Sequence, residues 1–194
     1  MVNPWSERPL RQPRSHFQNS LNIVIFIRVP VRLKKSFLLS AISLLITAHL
    51  NAQLHVNSIL VHKKARTMEL FHAGQVLKTY KIALGGEPIG AKIKQGDHRT
   101  PEGMYVIDSR NLHSRFHRSL HISYPNAADK ERARRLGVPT GGDIYIHGLP
   151  NGYGFIGAAH RARDWTDGCI AVTNAEIEEI WRLVDNGTPV EIRP

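Results

Sequence analysis

Past residue 52 the apolar positions fall in short runs cut by glycine, proline and charge, the pattern of a chain built mainly from strands. Thr67 to Phe71, a turn through Ala73-Gly74, and Val76 to Leu84 predict a hairpin. Gly85, Gly86, Pro88 and Gly90 then break the chain into loop. Pro101-Glu102-Gly103 predicts a turn ahead of a strand over Met104 to Ile107, and Leu120 to Ser123, Ile144 to His147 and Val190 to Ile192 read as further strands. Two segments read as helix. Ala128 to Leu136 is highly charged and stops at Gly137, a residue type favoured just past a helix end. In the second, Thr173 and Glu176 make a capping-box pattern, Ile177, Ile180, Trp181 and Val184 recur at i, i+3, i+4 and i+7, and Gly187 ends the run. Strands with a few short helices predict an α+β, mainly β domain over residues 53–194.

Ahead of that domain, Phe37 to Leu50 is a 14-residue run without charge. A membrane-spanning helix needs about 20 apolar residues, so the run is short for one. Arg32, Lys34 and Lys35 precede it, and the small residue Ala52 follows. Basic flank, short apolar run and small residue predict a secretory signal peptide, so residues 1–52 are expected to be an N-terminal leader and signal. An uncleaved anchor or a buried helix is the alternative. The polar stretch over residues 1–30 is unusual for a signal, and a start at Val31 gives one of ordinary length.

Charge narrows the picture. The 194 residues hold 26 Lys and Arg against 16 Asp and Glu, a formal net charge of +10. Seven of those bases and one acid lie in residues 1–52, so the leader carries +6 and the domain only +4. A basic nucleic-acid domain therefore loses its main support. One cysteine excludes an internal disulfide framework and a Cys-rich zinc module. His113, His117 and His121 have the i, i+4, i+8 spacing that stacks ligands on a helix, but the strand predicted over Leu120 to Ser123 removes the stacking, so no metal site is expected.

The chemistry gathers at that cysteine. Asp164-Trp165-Thr166-Asp167-Gly168-Cys169 leads into the apolar Ile170-Ala171-Val172. A glycine before a cysteine permits a tight turn that presents the sulfur, with the Gly168 and Cys169 N–H groups facing the same space. Nucleophile and oxyanion donors are what thiol acyl transfer needs. The thiol also needs a base, and Ile146-His147-Gly148 ends a strand in an imidazole. Taken alone, either residue could equally be a buried core position.

Three ordered blocks resolve that choice. The first runs from Ala83-Leu84-Gly85 through Pro88, Gly90 and Lys92 to Gly96-Asp97 and Arg99-Thr100-Pro101-Glu102-Gly103. The second is Ile146-His147-Gly148, and the third Thr166-Asp167-Gly168-Cys169-Ile170. In these blocks the chain resembles the L,D-transpeptidase catalytic domain, also called YkuD, over roughly residues 57–194. The stretch from Asp164 to Trp181, with Ser123-Tyr124-Pro125-Asn126 upstream, looks most like the YafK-type branch. The resemblance implies a β-sandwich with a few short helices and no cofactor. It implies Cys169 as nucleophile, held as thiolate by His147, which a carbonyl near Gly148 orients. Backbone N–H groups around Asp167, Gly168 and Cys169 are implied to form the oxyanion hole. The implied substrate is a peptidoglycan stem peptide, attacked at the third-position diamino acid. The implied outcomes are a 3–3 crosslink, attachment of an outer-membrane lipoprotein through its lysine, or hydrolysis, either as a murein–lipoprotein amidase or as an L,D-carboxypeptidase. A non-catalytic peptidoglycan-binding module is a further alternative. The implied location is the periplasm, with membrane contact only through the signal.

Two features depart from the common family pattern. Ala171 stands where many members carry arginine or asparagine, with Arg161 or Arg163 as candidate replacements. His147 and Cys169 lie 22 residues apart, and the intervening Pro150 to Arg163 is expected to act as a lid and brings His160 as a rival base. Tyr124, His160, Arg161, Trp165 and Thr166 are the expected substrate groove.

Overall fold

A computed structural model describes residues 55–194. The expected leader and signal peptide and the alternative start near residue 31 lie outside the described residues. In chain order the elements are β1 (Ser58–His62), β2 (Thr67–His72), β3 (Gln75–Lys81), β4 (Gly103–Ser114), β5 (His117–Ile122), α1 (Ala127–Leu136), β6 (Tyr145–His147), a 3-10 segment (Gly154–Ala162), β7 (Ile170–Ala171), α2 (Asn174–Leu183) and β8 (Pro189–Arg193).

The strands form one eight-stranded sheet in the order β3-β2-β1-β8-β4-β5-β6-β7. β1 and β8 run parallel, as do β6 and β7, and the other neighbours are antiparallel. β4 is shared. Gly103 to Val106 pair with β8, while Ile107 to Ser114 pair with β5 across two register shifts. The two β layers implied by the sequence are thus halves of one sheet bent along β4. Just beyond β3, Ala83 exchanges backbone hydrogen bonds of 3.0 and 2.9 Å with Ala171 of β7, so the two ends of the sheet meet and the sheet curls on itself.

Alternation sets what the curl encloses. Ile59 and Val61 of β1, Met68 and Leu70 of β2, and Val190 and Ile192 of β8 are all buried, and they join Ile107, Leu120, Ile122, Ile146 and Ile170 in one core. The α2 stripe lays Ile177 and Ile180 on this core. Thr173 and Glu176 close a reciprocal capping box at its start, as their spacing predicts, and Asn126 with Asp129 closes another on α1. Gly137 ends α1 in the left-handed region at φ 66°, its N–H bonded to the Ala133 and Arg134 carbonyls.

Three expectations need correction. α2 stops at Leu183, and Gly187 belongs to the following turn into β8. β4 runs to Ser114 instead of ending at Ile107, because its outer half is polar and is held by pairing with β5. The glycine-rich insert forms an ordered 3-10 segment, kinked at Gly157.

Two ion pairs secure the loops that reach the site. Lys63 is fully buried and donates to Glu102 Oε1 at 2.7 Å, to the Thr100 carbonyl at 3.0 Å and to the Gly90 carbonyl. Arg66 clamps Asp164 through Nε and Nη2, and Asp164 Oδ1 accepts the Leu84 N–H at 2.8 Å.

Candidate active site

Parallel pairing of β6 with β7 places the two central residues. Ile146 lies opposite Ile170 and His147 opposite Ala171, which sets Cys169 beside Tyr145 on the same face as His147. Two residues along one strand and one strand across put their Cα atoms about 8 Å apart, a diagonal that long side chains bridge. Both residues line one cleft of about 740 Å³.

The turn before Cys169 is held from within. Thr166 Oγ1 donates to the Cys169 carbonyl at 2.7 Å and accepts the Gly168 N–H at 3.1 Å. Gly168 sits at φ 125°, and a Cβ there meets the Arg99 carbonyl at 2.5 Å, so only glycine fits. The Gly168 N–H is spent on the turn, and the N–H groups of Asp167 and Cys169 are those without an internal acceptor among the described residues.

His147 is 3% exposed, packed against Phe116 at 4.5 Å between ring centroids and against Trp165 at 5.9 Å. Its Nδ1 is 2.6 Å from the Gly148 carbonyl. A carbonyl only accepts, so Nδ1 carries the proton and Nε2 is the free base. Burial, with a smaller contribution from His160, pulls the imidazole down to about 4. Burial also pushes the Cys169 thiol up to about 11, opposed by the Tyr145 N–H and reinforced by Asp167 and Asp143. Sγ donates to the Asp143 carbonyl at 3.6 Å, a long bond of the kind a neutral thiol makes. Burial thus favours the neutral form of both groups.

The other expected groove residues divide. Trp165 and Thr166 line the cleft. Tyr124 does not. It is buried against Tyr105, with its hydroxyl donating to the Thr140 carbonyl at 3.1 Å. No residue from Pro150 to Arg163 lines the cleft. Arg161 is bound to Glu176 of the α2 cap, which leaves the place of Ala171 unfilled by either candidate arginine. His160 lies behind Trp165, accepting the indole N–H at 3.4 Å, in a separate apolar pocket of about 470 Å³. His117 and His121 pair with Glu178 and Asp108, and among the described residues no cluster could hold a metal.

Sequence reasoning missed Asp143 and the stretch from His113 to Phe116, which also line the cleft. Asp143 sits at φ 58°, and its role rests on its backbone carbonyl, which no residue type announces. Lys92 and Asp97 appear in the first motif block, and they prove to be a loop staple. Lys92 reaches Asp97 at 2.7 Å, and Asp97, held down at about 2 by that ammonium and by the N–H groups of Lys94, Ile93 and Arg99 despite its burial, gathers the loop around it.

A strand-borne histidine and a cysteine on a glycine turn thus line one cleft at the seam of the curled sheet. The model of the L,D-transpeptidase catalytic domain, YkuD, matches residues 56–192, and the chain belongs to that family. It is 31% identical over 133 residues to the Escherichia coli K12 protein named "Putative L,D-transpeptidase YafK", covering 65% of this chain and 46% of that one. The chain thus spans about half the length of the curated relatives it matches. Among solved structures it resembles the helical cell shape determining protein Pgp2 of Campylobacter jejuni, K307A variant, with 26% identity, TM-score 0.56, 72% of this chain and 47% of that one. Bd1075 of Bdellovibrio bacteriovorus gives 25% identity and TM-score 0.53 over 72% of this chain and 48% of its own.

Proposed function

We propose that the domain is a cysteine acyl-transfer enzyme acting on peptidoglycan stem peptides at the bond after the third-position diamino acid. The observation that carries this is the shared strand face of Cys169 and His147 in one cleft, with Nδ1 of the histidine committed to Gly148. Substrate binding expels water and brings a carbonyl to Sγ. His147 Nε2 takes the thiol proton as the sulfur–carbon bond forms. The Cys169 and Asp167 N–H groups receive the developing oxyanion. The tetrahedral intermediate then expels the terminal D-residue, whose nitrogen takes the proton from His147. An amine or water completes the cycle by attacking the thioester, and Cys169 regains its proton. No cofactor enters these steps.

The acceptor decides between transpeptidation and hydrolysis, including release of a lipoprotein bound through lysine. Export to the periplasm belongs to the same reading, because the substrate is in the cell envelope. The test incubates the protein and its Cys169→Ala variant with sacculi, with and without bound lipoprotein, and reads the muropeptides by mass spectrometry. New 3–3 dimers identify a transpeptidase. Loss of lipoprotein-linked muropeptides without dimers identifies an amidase, and loss of terminal D-alanine alone a carboxypeptidase. Identical muropeptides from active protein and Cys169→Ala overturn the proposal in favour of a binding module.

A further inference from the structure

The charged side chains of the cleft wall are unevenly compensated. Lys92 is bonded to Asp97 at 2.7 Å, and His98 to Asp167 at 2.8 Å. Asp143 and Asp167 stand on the Cys169 side, where both oppose a thiolate. His113 and Arg115, at the end of the β4–β5 hairpin, also line the cleft, and Arg115 has no carboxylate partner among the described residues. By contrast Arg66, Arg110 and Arg118 each reach one.

The hairpin end is held firmly. Asn151 donates its N–H to the Arg115 carbonyl at 2.9 Å and its side-chain amide to the Ser114 carbonyl at 3.1 Å, and its Oδ1 accepts the His117 N–H at 3.0 Å. The next residue, Phe116, packs on the His147 ring. A guanidinium without a carboxylate partner among the described residues is thus carried on a braced turn, one residue from the ring that seats the proposed base, in a cleft where Asp143 and Asp167 disfavour negative charge at Cys169.

We propose that Arg115 is the carboxylate-binding residue of this cleft, holding a stem peptide by a free carboxylate so that its carbonyl lies at Cys169. This rests on the function proposed above. It supplies, from the hairpin, a cation that Ala171 does not supply from β7. Guanidinium suits the task because its planar fork takes a carboxylate through two parallel hydrogen bonds. Two carboxylates of a stem qualify: that of the terminal D-residue, and that on the side chain of the third-position diamino acid.

The test measures binding by calorimetry to the full chain carrying Cys169→Ala, so that chemistry does not intervene. Three tetrapeptides are compared: one with both carboxylates, one ending in a carboxamide, and one with lysine at the third position. One altered peptide is expected to bind about tenfold more weakly than the parent, which identifies the carboxylate held. Adding Arg115→Gln abolishes that difference, and Arg115→Lys keeps part of it. Binding with unchanged ratios in Arg115→Gln overturns the Arg115 assignment alone. Absence of binding by every peptide to every form overturns it together with the stem-peptide reading.

Discussion

Burial acts on Cys169 and His147 in opposite directions, raising the thiol to about 11 and lowering the imidazole to about 4, so it favours the neutral form of each. Alkylation of Cys169 by iodoacetamide is therefore expected to rise about tenfold per pH unit from pH 7 to 10. A rate already level at neutral pH would show a standing ion pair instead. The imidazole also couples the site to acid stability. Between its unfolded value of 6.5 and its native value of about 4, the unfolded chain binds a proton that the native state refuses. Native stability thus falls as pH drops through that window, by about 3 kcal/mol from this group, with no further loss from it below pH 4. His147→Gln should flatten that part of a pH series of urea denaturation midpoints. His160→Ala, behind Trp165, should leave acyl-enzyme formation in place while His147→Ala removes it, read by mass of the intact protein. The reverse result would move the base to His160.

At the scale of elements, the Asp164–Cys169 turn is the piece on which the site depends. Gly168→Ala drives a Cβ into the Arg99 carbonyl at an angle that L-residues avoid, and should lower stability by about 2–4 kcal/mol with loss of activity. Thr166→Val removes the hydroxyl shared by the Gly168 N–H and the Cys169 carbonyl. It should cost about 1–3 kcal/mol in denaturant unfolding, and a larger fraction of turnover. Much of this level was legible in the chain. The Gly137 stop of α1, the capping box of α2 and the β2–β3 hairpin depend on residues a few positions apart, and a local pattern reports local structure. Gly168 announced a tight turn for the same reason. What escaped was made by distant partners. The outer half of β4 is polar because β5 holds it, β7 has only two residues, and Arg115 and Asp143 join the cleft through folding of the sheet. The use of the Gly168 N–H was hidden too, since a motif names a donor without naming its acceptor.

For the whole molecule, the pairing of β8 is decisive. It lies between β1 and β4, with Val190 fully buried and Ile192 nearly so, and it pairs with residues as far back as Ile59. Val190→Ala should lower stability by about 2–4 kcal/mol without altering the cleft, as read from denaturant midpoint against iodoacetamide reactivity. β8 also follows every other strand in the chain. A polypeptide emerging amino end first can close the β2–β3 hairpin early, yet it cannot join β1 to β4 until β8 arrives. Until then two half-sheets expose apolar faces, and no cooperative native state is available. Completion waits on long-range closure, which is slow by nature. The cleft is therefore complete only once β8 has been made and has closed the sheet.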